Sequence, residues 1–296
     1  VDCILRSAVI ADLNERADMR RDARKGDGGA ADGAATAGPN GQAIAGTGRI
    51  LMWQGGSLWL GRDVSLSRAH AHHAIQISLG LGDANAALAL RDGAAGPWRD
   101  YRAALVPPHR SHAFDGRGCS LAQLFIEPET AAGRALVAQY GGAGIAPLAG
   151  IAPDALSPFA QALQARRYDD GALIRAAHEL IDRLVGPLPP RPDARRRLDG
   201  MLERIAASLP QGLTLEELAE QVHLSPGRTR HLFVAETGIT FRGYILWLRI
   251  NRAVELMMQG HSWTHAAHEA GFADSAHLSR TFRRVFGLSP AMIRRD

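Results

Sequence analysis

From Arg49 to Pro128 the chain sets short apolar runs between Gly, Pro and Asp: ILMWQGGSLWLG, HHAIQISLGL, NAALALRDG, RAALVPPH and SLAQLFIEP. Short runs at this spacing predict an all-β domain, barrel or sandwich, over 49–128. From Glu129 the apolar positions change to a helical period. ETAAGRALVAQY, DALSPFAQALQARRY and DGALIRAAHELIDRLVG each read as a helix, the third with Leu173, Ala176, Ala177, Leu180 and Leu184 on one face. These predict a helical connector over 129–185. Residues 186–194, GPLPPRPDA, hold four prolines and read as a semi-extended linker. Upstream, 26–48 is Gly/Ala-rich with no apolar period, and residues 1–48 are expected to be a disordered tail.

Residues 195–296 are helical in pattern to the end. A first helix over 195–209 has Leu198, Leu202, Ile205 and Leu209 as its stripe. Thr214 followed by Glu217 is a capping box, and Leu215, Leu218, Ala219 and Val222 form the apolar face of the next helix. Ser225 then caps another helix, with Pro226 at its first position and Gly238 as its stop. Two short helices across a tight turn make a helix-turn-helix. The pattern recurs: Ser262 caps WTHAAHEA, Gly271 makes the turn, and Asp274 caps SAHLSRTFRRVFG. Between the units a long helix, about Phe241 to Gln259, is apolar on more than one side (Tyr244, Trp247, Leu248, Ile250, Val254, Met257), as a helix packed on both flanks must be.

Charge follows the same duplication. In the first unit Glu216, Glu217 and Glu220 lie on the leading helix, while Arg228, Arg230 and His231 lie on the following one. In the second unit Glu269 leads, and Arg280, Arg283 and Arg284 follow. A basic second helix suits the phosphates and base edges of a major groove. Arg249 and Arg252, on the long helix, are expected to pair with acids of the flanking units.

The whole chain agrees but adds little. With 296 residues, 46% hydrophobic, it can hold two domains; its net charge is +4. Cys3 and Cys119 form neither a disulfide framework nor a metal-ligand spacing, so a cytoplasmic setting is expected. No run approaches the ~20 apolar residues of a membrane span, and the N-terminus lacks the order of a signal peptide.

The order helix-turn-helix, linker helix, helix-turn-helix resembles the AraC-type transcriptional regulators. LAEQVHLSPGRTRHLFVAETG, LRINRAVELM and AAHEAGFADSAHLSRTFRRVFGLSP carry the resemblance, over about the last hundred residues. Phe241 stands where the family often has proline. The resemblance implies an α+β multidomain protein: an N-terminal cupin-like barrel as sensor, a helical dimerisation segment, and an all-α DNA-binding domain. It places Gly227, Arg230 and His231 of the first recognition helix, and Ser275, Ala276, Ser279 and Arg280 of the second, toward bases. Arg228, Arg283 and Arg284 are assigned to phosphates. Double-stranded DNA, RNA polymerase, a second copy of the chain and a small-molecule effector are the implied partners, with no cofactor and no enzymatic activity.

In the β region, His70 and His72 form H-x-H on one face of a strand, with His109 and His112 downstream. This order resembles cupins that bind a divalent metal through two His, a Glu and a later His; here Gln76 stands near the expected Glu. His70, His72, Gln76, His109 and His112 are therefore expected to line a ligand pocket, with His70, His72 and His112 as the weaker metal candidates. Trp53, Trp59 and Trp98 are expected in the core or in the pocket wall. The rival reading is a metal-dependent cupin enzyme carrying a DNA-binding module. An alkyl-transfer repair fusion would need reactive cysteines that the chain does not cluster.

Overall fold

The computed structural model describes residues 47–62, 66–82, 87–142, 144–165, 168–188, 196–209, 212–290 and 294–295. The expected tail up to residue 46, and residues 189–194 of the expected linker, lie outside them. Residues from Ala43 onward form one compact unit.

The first described element is β1 (Thr47–Trp53), followed by β2 (Gly56–Gly61), β3 (Ile75–Leu81), β4 (Leu88–Asp92), β5 (Arg99–Tyr101), β6 (Ala103–Val106), β7 (His112–Asp115) and β8 (Ser120–Ile126). A short β9 (Ala146–Pro147) and β10 (Arg294–Arg295) complete the strands. Among the described residues they form a seven-stranded sheet, ordered β10-β1-β2-β8-β3-β6-β9, and a three-stranded sheet, β5-β4-β7. The all-β region is thus present, as two sheets rather than a closed barrel. Isolated bridges Leu66–Asp115 and His70–His112 tie the segment before β3 onto β7. Strand β3 is buried throughout, and β6 and β8 pair with it on either side. Ile75, Ile77, Leu79 and Leu81 alternate along it with Gln76, Ser78 and Gly80, and both sets are buried.

Helices α1 (Ala131–Tyr140), α2 (Pro153–Gln164) and α3 (Asp170–Val185) follow. Thr130 and Asp169 cap α1 and α3 through their side-chain oxygens. Leu156, Phe159 and Leu163 of α2 and Leu173, Ala177 and Leu180 of α3 share one core with Leu58, Ile77 and Leu124 of the sheet. The apolar stripes that the sequence offers as a dimerisation seat are thereby buried within the chain.

The C-terminal helices are α4 (Arg196–Ala207), α5 (Leu215–Gln221), α6 (Pro226–Thr237), α7 (Phe241–Met258), α8 (Trp263–Glu269) and α9 (Ser275–Phe286). The long α7 is the spine: Tyr244, Trp247, Ile250, Ala253, Val254, Leu256 and Met257 are all buried. Leu218 and Phe233 of the first unit and Ala266, Leu278 and Phe282 of the second share its core. That core also takes in Ile50, Ala74 and Phe125 of the sheet region, so sheet and helices close on common apolar ground. None of the described helices is long and apolar enough to cross a membrane.

Candidate nucleic-acid interface

The two helix-turn-helix units are built by the same local devices. Thr214 Oγ1 accepts from Glu217 N (3.1 Å), and Glu217 Oε2 accepts from Thr214 N (2.8 Å), closing the capping box on α5. Ser225, Ser262 and Asp274 cap α6, α8 and α9, each accepting from the backbone N–H three residues on. The turns match bond for bond. His223 N donates to Glu220 O (3.1 Å) and Leu224 N to Ala219 O (3.0 Å); in the second unit Gly271 N donates to His268 O (3.0 Å) and Phe272 N to Ala267 O (2.8 Å). The turn needs a left-handed residue, supplied by His223 (φ 55°) in one unit and Gly271 (φ 79°) in the other. Both recognition helices end on a left-handed glycine, Gly238 (φ 71°) and Gly287 (φ 70°).

Packing against α7 and its neighbours then decides which face of each recognition helix is free. On α6, Thr229 and Phe233 are buried, while Gly227, Arg228, Arg230 and His231 are exposed. On α9, Leu278, Thr281, Phe282 and Phe286 are buried. Ala276, Arg280, Arg283 and Arg284 are exposed, and Ser275 and Ser279 are half-buried beside them. All ten residues assigned to DNA therefore lie on the open side of their helices. None of the five arginines forms an ion pair with a described residue. With no acid on α9, the face is a cationic surface without an internal counter-charge.

Arg249 and Arg252 depart from expectation. Arg252 pairs with Glu255 on its own helix (2.7 Å), not with an acid of a flanking unit, because an i,i+3 spacing on α7 brings the two together. Arg249 lies over the turn: a Cβ added at Gly271 would sit 3.0 Å from its Nε, which is buried without a hydrogen-bond partner.

Behind the reading faces, the sheet region touches both units through histidines. His109 lies at the end of α6, its Nε2 3.5 Å from where a Cβ of Gly238 would stand. It does not join His70, His72 and His112, as the sequence pattern led one to expect. Instead its Nε2 meets His73 Nδ1 (3.3 Å), and His73 Nε2 meets Glu129 Oε1 (2.5 Å) in a fully buried pair. The His73 ring stands edge-on to Tyr244 and Trp247 of α7, and Trp247 Nε1 donates to Glu127 Oε1 (3.1 Å). Burial raises the Glu127 pKa, and the nearby Glu129 charge adds to the rise. Loss of water around His109 lowers its pKa, and the neighbouring His73 lowers it further.

His70, His72 and His112 do converge. Each offers a ring nitrogen within 4.8 Å of the others, and all three residues are buried. Gln76 Oε1 stands 2.9 Å from His72 Nε2 and 3.2 Å from His112 Nε2. Desolvation is the largest cause lowering all three histidine pKa values, that of His72 to about 3, so the imidazoles are neutral. These residues fill a buried cluster rather than line an open pocket. A separate cavity, of about 140 Å³, is lined by Arg62, Leu81, Ser120, Leu163 and Gln164 and contains none of them. Of the tryptophans, Trp59 packs on Phe125 and Phe286, and Trp53 on His178. Trp98 is 38% exposed, under the Arg91 guanidinium, and walls neither a core nor a pocket.

Comparison with known proteins supports this geometry. A family profile described as a helix-turn-helix domain matches residues 218–296. The chain is 32% identical over 100 residues to the uncharacterized HTH-type transcriptional regulator YidL of Escherichia coli, covering 33% of this chain and 34% of that protein. It is 34% identical over 99 residues to the HTH-type transcriptional activator RhaS of Escherichia fergusonii, covering 33% and 36%. These matches span about a third of the relatives' lengths. Among solved structures, ToxT from Vibrio cholerae superposes with a TM-score of 0.51 at 11% identity, over 80% of this chain and 98% of that one, a likeness of fold. Residues 218–296 are thus similar to the helix-turn-helix domains of these transcriptional regulators.

Proposed function

We propose that the protein is a sequence-specific DNA-binding transcription regulator in which one chain presents α6 and α9 to successive segments of the major groove. The observation that carries this reading is the duplicated unit with its arginines on open faces, while buried residues such as Phe286 and the helix ends at Gly238 and Gly287 meet the sheet region. The 18 residues of α7 give a spacer of ~27 Å, against ~34 Å between major-groove segments on one face of B-DNA. A modest bend of the DNA or tilt of the helices closes the difference. The two helices carry different side chains, so the site is asymmetric. Arg230 and Arg280 are the guanine readers, each contributing ~1–3 kcal/mol of discrimination. Ser275, Ala276 and Gly227 allow close approach but little readout. Arg228, Arg283 and Arg284 hold phosphates.

In this reading the sheet region is a sensor that acts by binding rather than by catalysis. One ToxT structure of similar fold (TM-score 0.50, 12% identity) holds a small carboxylic acid, which favours a small-molecule effector for this sensor as well. RNA polymerase and a second copy of the chain complete the set of partners.

Selection of binding sites from random duplex DNA, followed by a salt titration, tests the reading. An asymmetric motif of two blocks about one helical turn apart is expected. The Arg283→Ala and Arg284→Ala variants should each reduce the salt slope by about 1. No enriched sequence and no salt-dependent binding would overturn it.

A further inference from the structure

The histidine cluster carries more electron pairs than protons. His70 Nδ1 lies 2.7 Å from Arg68 O, His72 Nδ1 2.8 Å from Ala74 O, and His112 Nδ1 2.9 Å from Arg110 O. A carbonyl oxygen can only accept, so each Nδ1 must carry the proton. In a neutral ring the other nitrogen, Nε2, then holds a bare lone pair. Two of these, on His72 and His112, face Gln76 Oε1, itself an acceptor, whose amide nitrogen is turned away to donate to Ser78 Oγ (2.9 Å). Acceptor thus meets acceptor in a buried site, an arrangement that costs free energy unless something positive lies between. Imidazoles whose second nitrogen donates to a backbone carbonyl are also oriented as metal ligands are.

The cluster also abuts the second reading helix. A Cβ on Gly287, the C-cap of α9, would fall 2.6 Å from His70 Nδ1 and 2.4 Å from Arg68 O. Arg68 N donates to Gly287 O (3.1 Å), and the Phe286 ring lies 6.4 Å from that of His72. The same carbonyl that orients His70 belongs to the residue that grips the helix end.

We propose that His70, His72 and His112 bind one divalent transition-metal ion, with the Gln76 carbonyl as a fourth ligand, and that the bound ion fastens the end of α9 to the sheet region. Three neutral imidazoles and one oxygen suit zinc and its neighbours rather than magnesium or calcium. The ion fixes the His70 ring, His70 fixes the Arg68 carbonyl, and Arg68 holds Gly287. The second helix-turn-helix is thereby anchored when metal is bound and loosened when it is removed.

The test uses the full chain and no DNA, so it stands apart from the reading of function. Chelator-treated protein is titrated with zinc sulfate, and metal content and hydrogen exchange are measured. One equivalent is expected, with slower amide exchange in residues 282–288 on binding. His112→Ala should weaken zinc by at least about 100-fold. Gln76→Glu, which keeps the shape and supplies a carboxylate, should tighten it by about 10-fold or more. Cobalt substitution of the unaltered chain should give the visible bands of a four-coordinate nitrogen and oxygen site, a readout that survives if a variant fails to fold. No stoichiometric metal would overturn the site and indicate a Gln76 amide turned to donate to the rings. Metal bound with unchanged exchange at 282–288 would overturn the coupling.

Discussion

The two helix-turn-helix units share caps, turn hydrogen bonds and a terminal left-handed glycine, yet they meet the sheet region differently. At the end of α6, His109 approaches Gly238 at ordinary contact distance. At the end of α9, no side-chain carbon would fit over Gly287, and Phe286 is buried among Trp59, Phe125 and Trp247. The first unit is touched by the sheet region; the second is seated in it. Duplicated sequence therefore does not produce duplicated mechanics. The sheet region meets the end of α9 through close backbone and aromatic packing, and the end of α6 through His109 at ordinary contact distance.

The largest effect should come from breaking that seat. Phe286→Ala removes a buried ring shared by both domains and should cost about 3–5 kcal/mol. Phe233→Ala, the buried ring of α6, should cost as much by thermal unfolding, so total stability will not separate the units. Hydrogen exchange will: Phe286→Ala should also loosen Trp59 and its strand, while Phe233→Ala leaves the sheet protected. Equal loss of sheet protection in both variants would erase the comparison.

A pH effect of intermediate size tests the contact through α7. Burial raises the Glu127 pKa, so the folded state prefers the protonated acid. The penalty is absent below the ordinary carboxylate pKa. It grows as pH rises toward the raised value, then stays constant. Glu127→Gln retains an acceptor for Trp247 Nε1 and removes the charge. Its melting temperature should match the unaltered chain near pH ~4 and exceed it near pH ~7. A variant that is less stable at neutral pH would show that the carboxylate is held charged to advantage.

The smallest effect concerns the turns. His223 adopts the left-handed conformation that Gly271 adopts in the second unit. His223→Gly should be near neutral or stabilise by up to about 1 kcal/mol, relief of the side-chain strain being opposed by the freer unfolded chain. Gly271→Ala should destabilise by more than that, since its Cβ would also press on Arg249. Chemical denaturation of the pair measures both; a stable Gly271→Ala would mean the turns are not equivalent.

What was legible in the sequence was local. Thr214 with Glu217, Ser225 before Pro226, and Asp274 before its helix announce their ends within four residues, and the structure has each cap. The buried faces follow from the helical period, whereas the residues assigned to DNA follow from the family resemblance alone. The sheet region was legible as strands, because short runs such as β3 (IQISLGL) are apolar at every second position and set off by turn residues, but its pairing into two sheets was not. The histidines show the limit most clearly. H-x-H reads as two histidines on one face of a strand, yet His70 and His72 lie ahead of β3 in no strand, and they converge because His70 bridges to His112. His73 carries no pattern of its own and pairs with Glu129 and His109. Phe286 shares its ring contacts with Trp59 and Phe125, and such contacts between distant segments leave no periodic trace.

Arg280→Ala on the selected DNA site tests most directly the proposal that the two helices make separate base contacts. Affinities for the site and for its single-base variants should show preference lost at one position, with a change of ~1–3 kcal/mol, while the block read by Arg230 is unchanged. A uniform drop across all sequences, with the preference profile intact, would put Arg280 on phosphate and contradict the assignment.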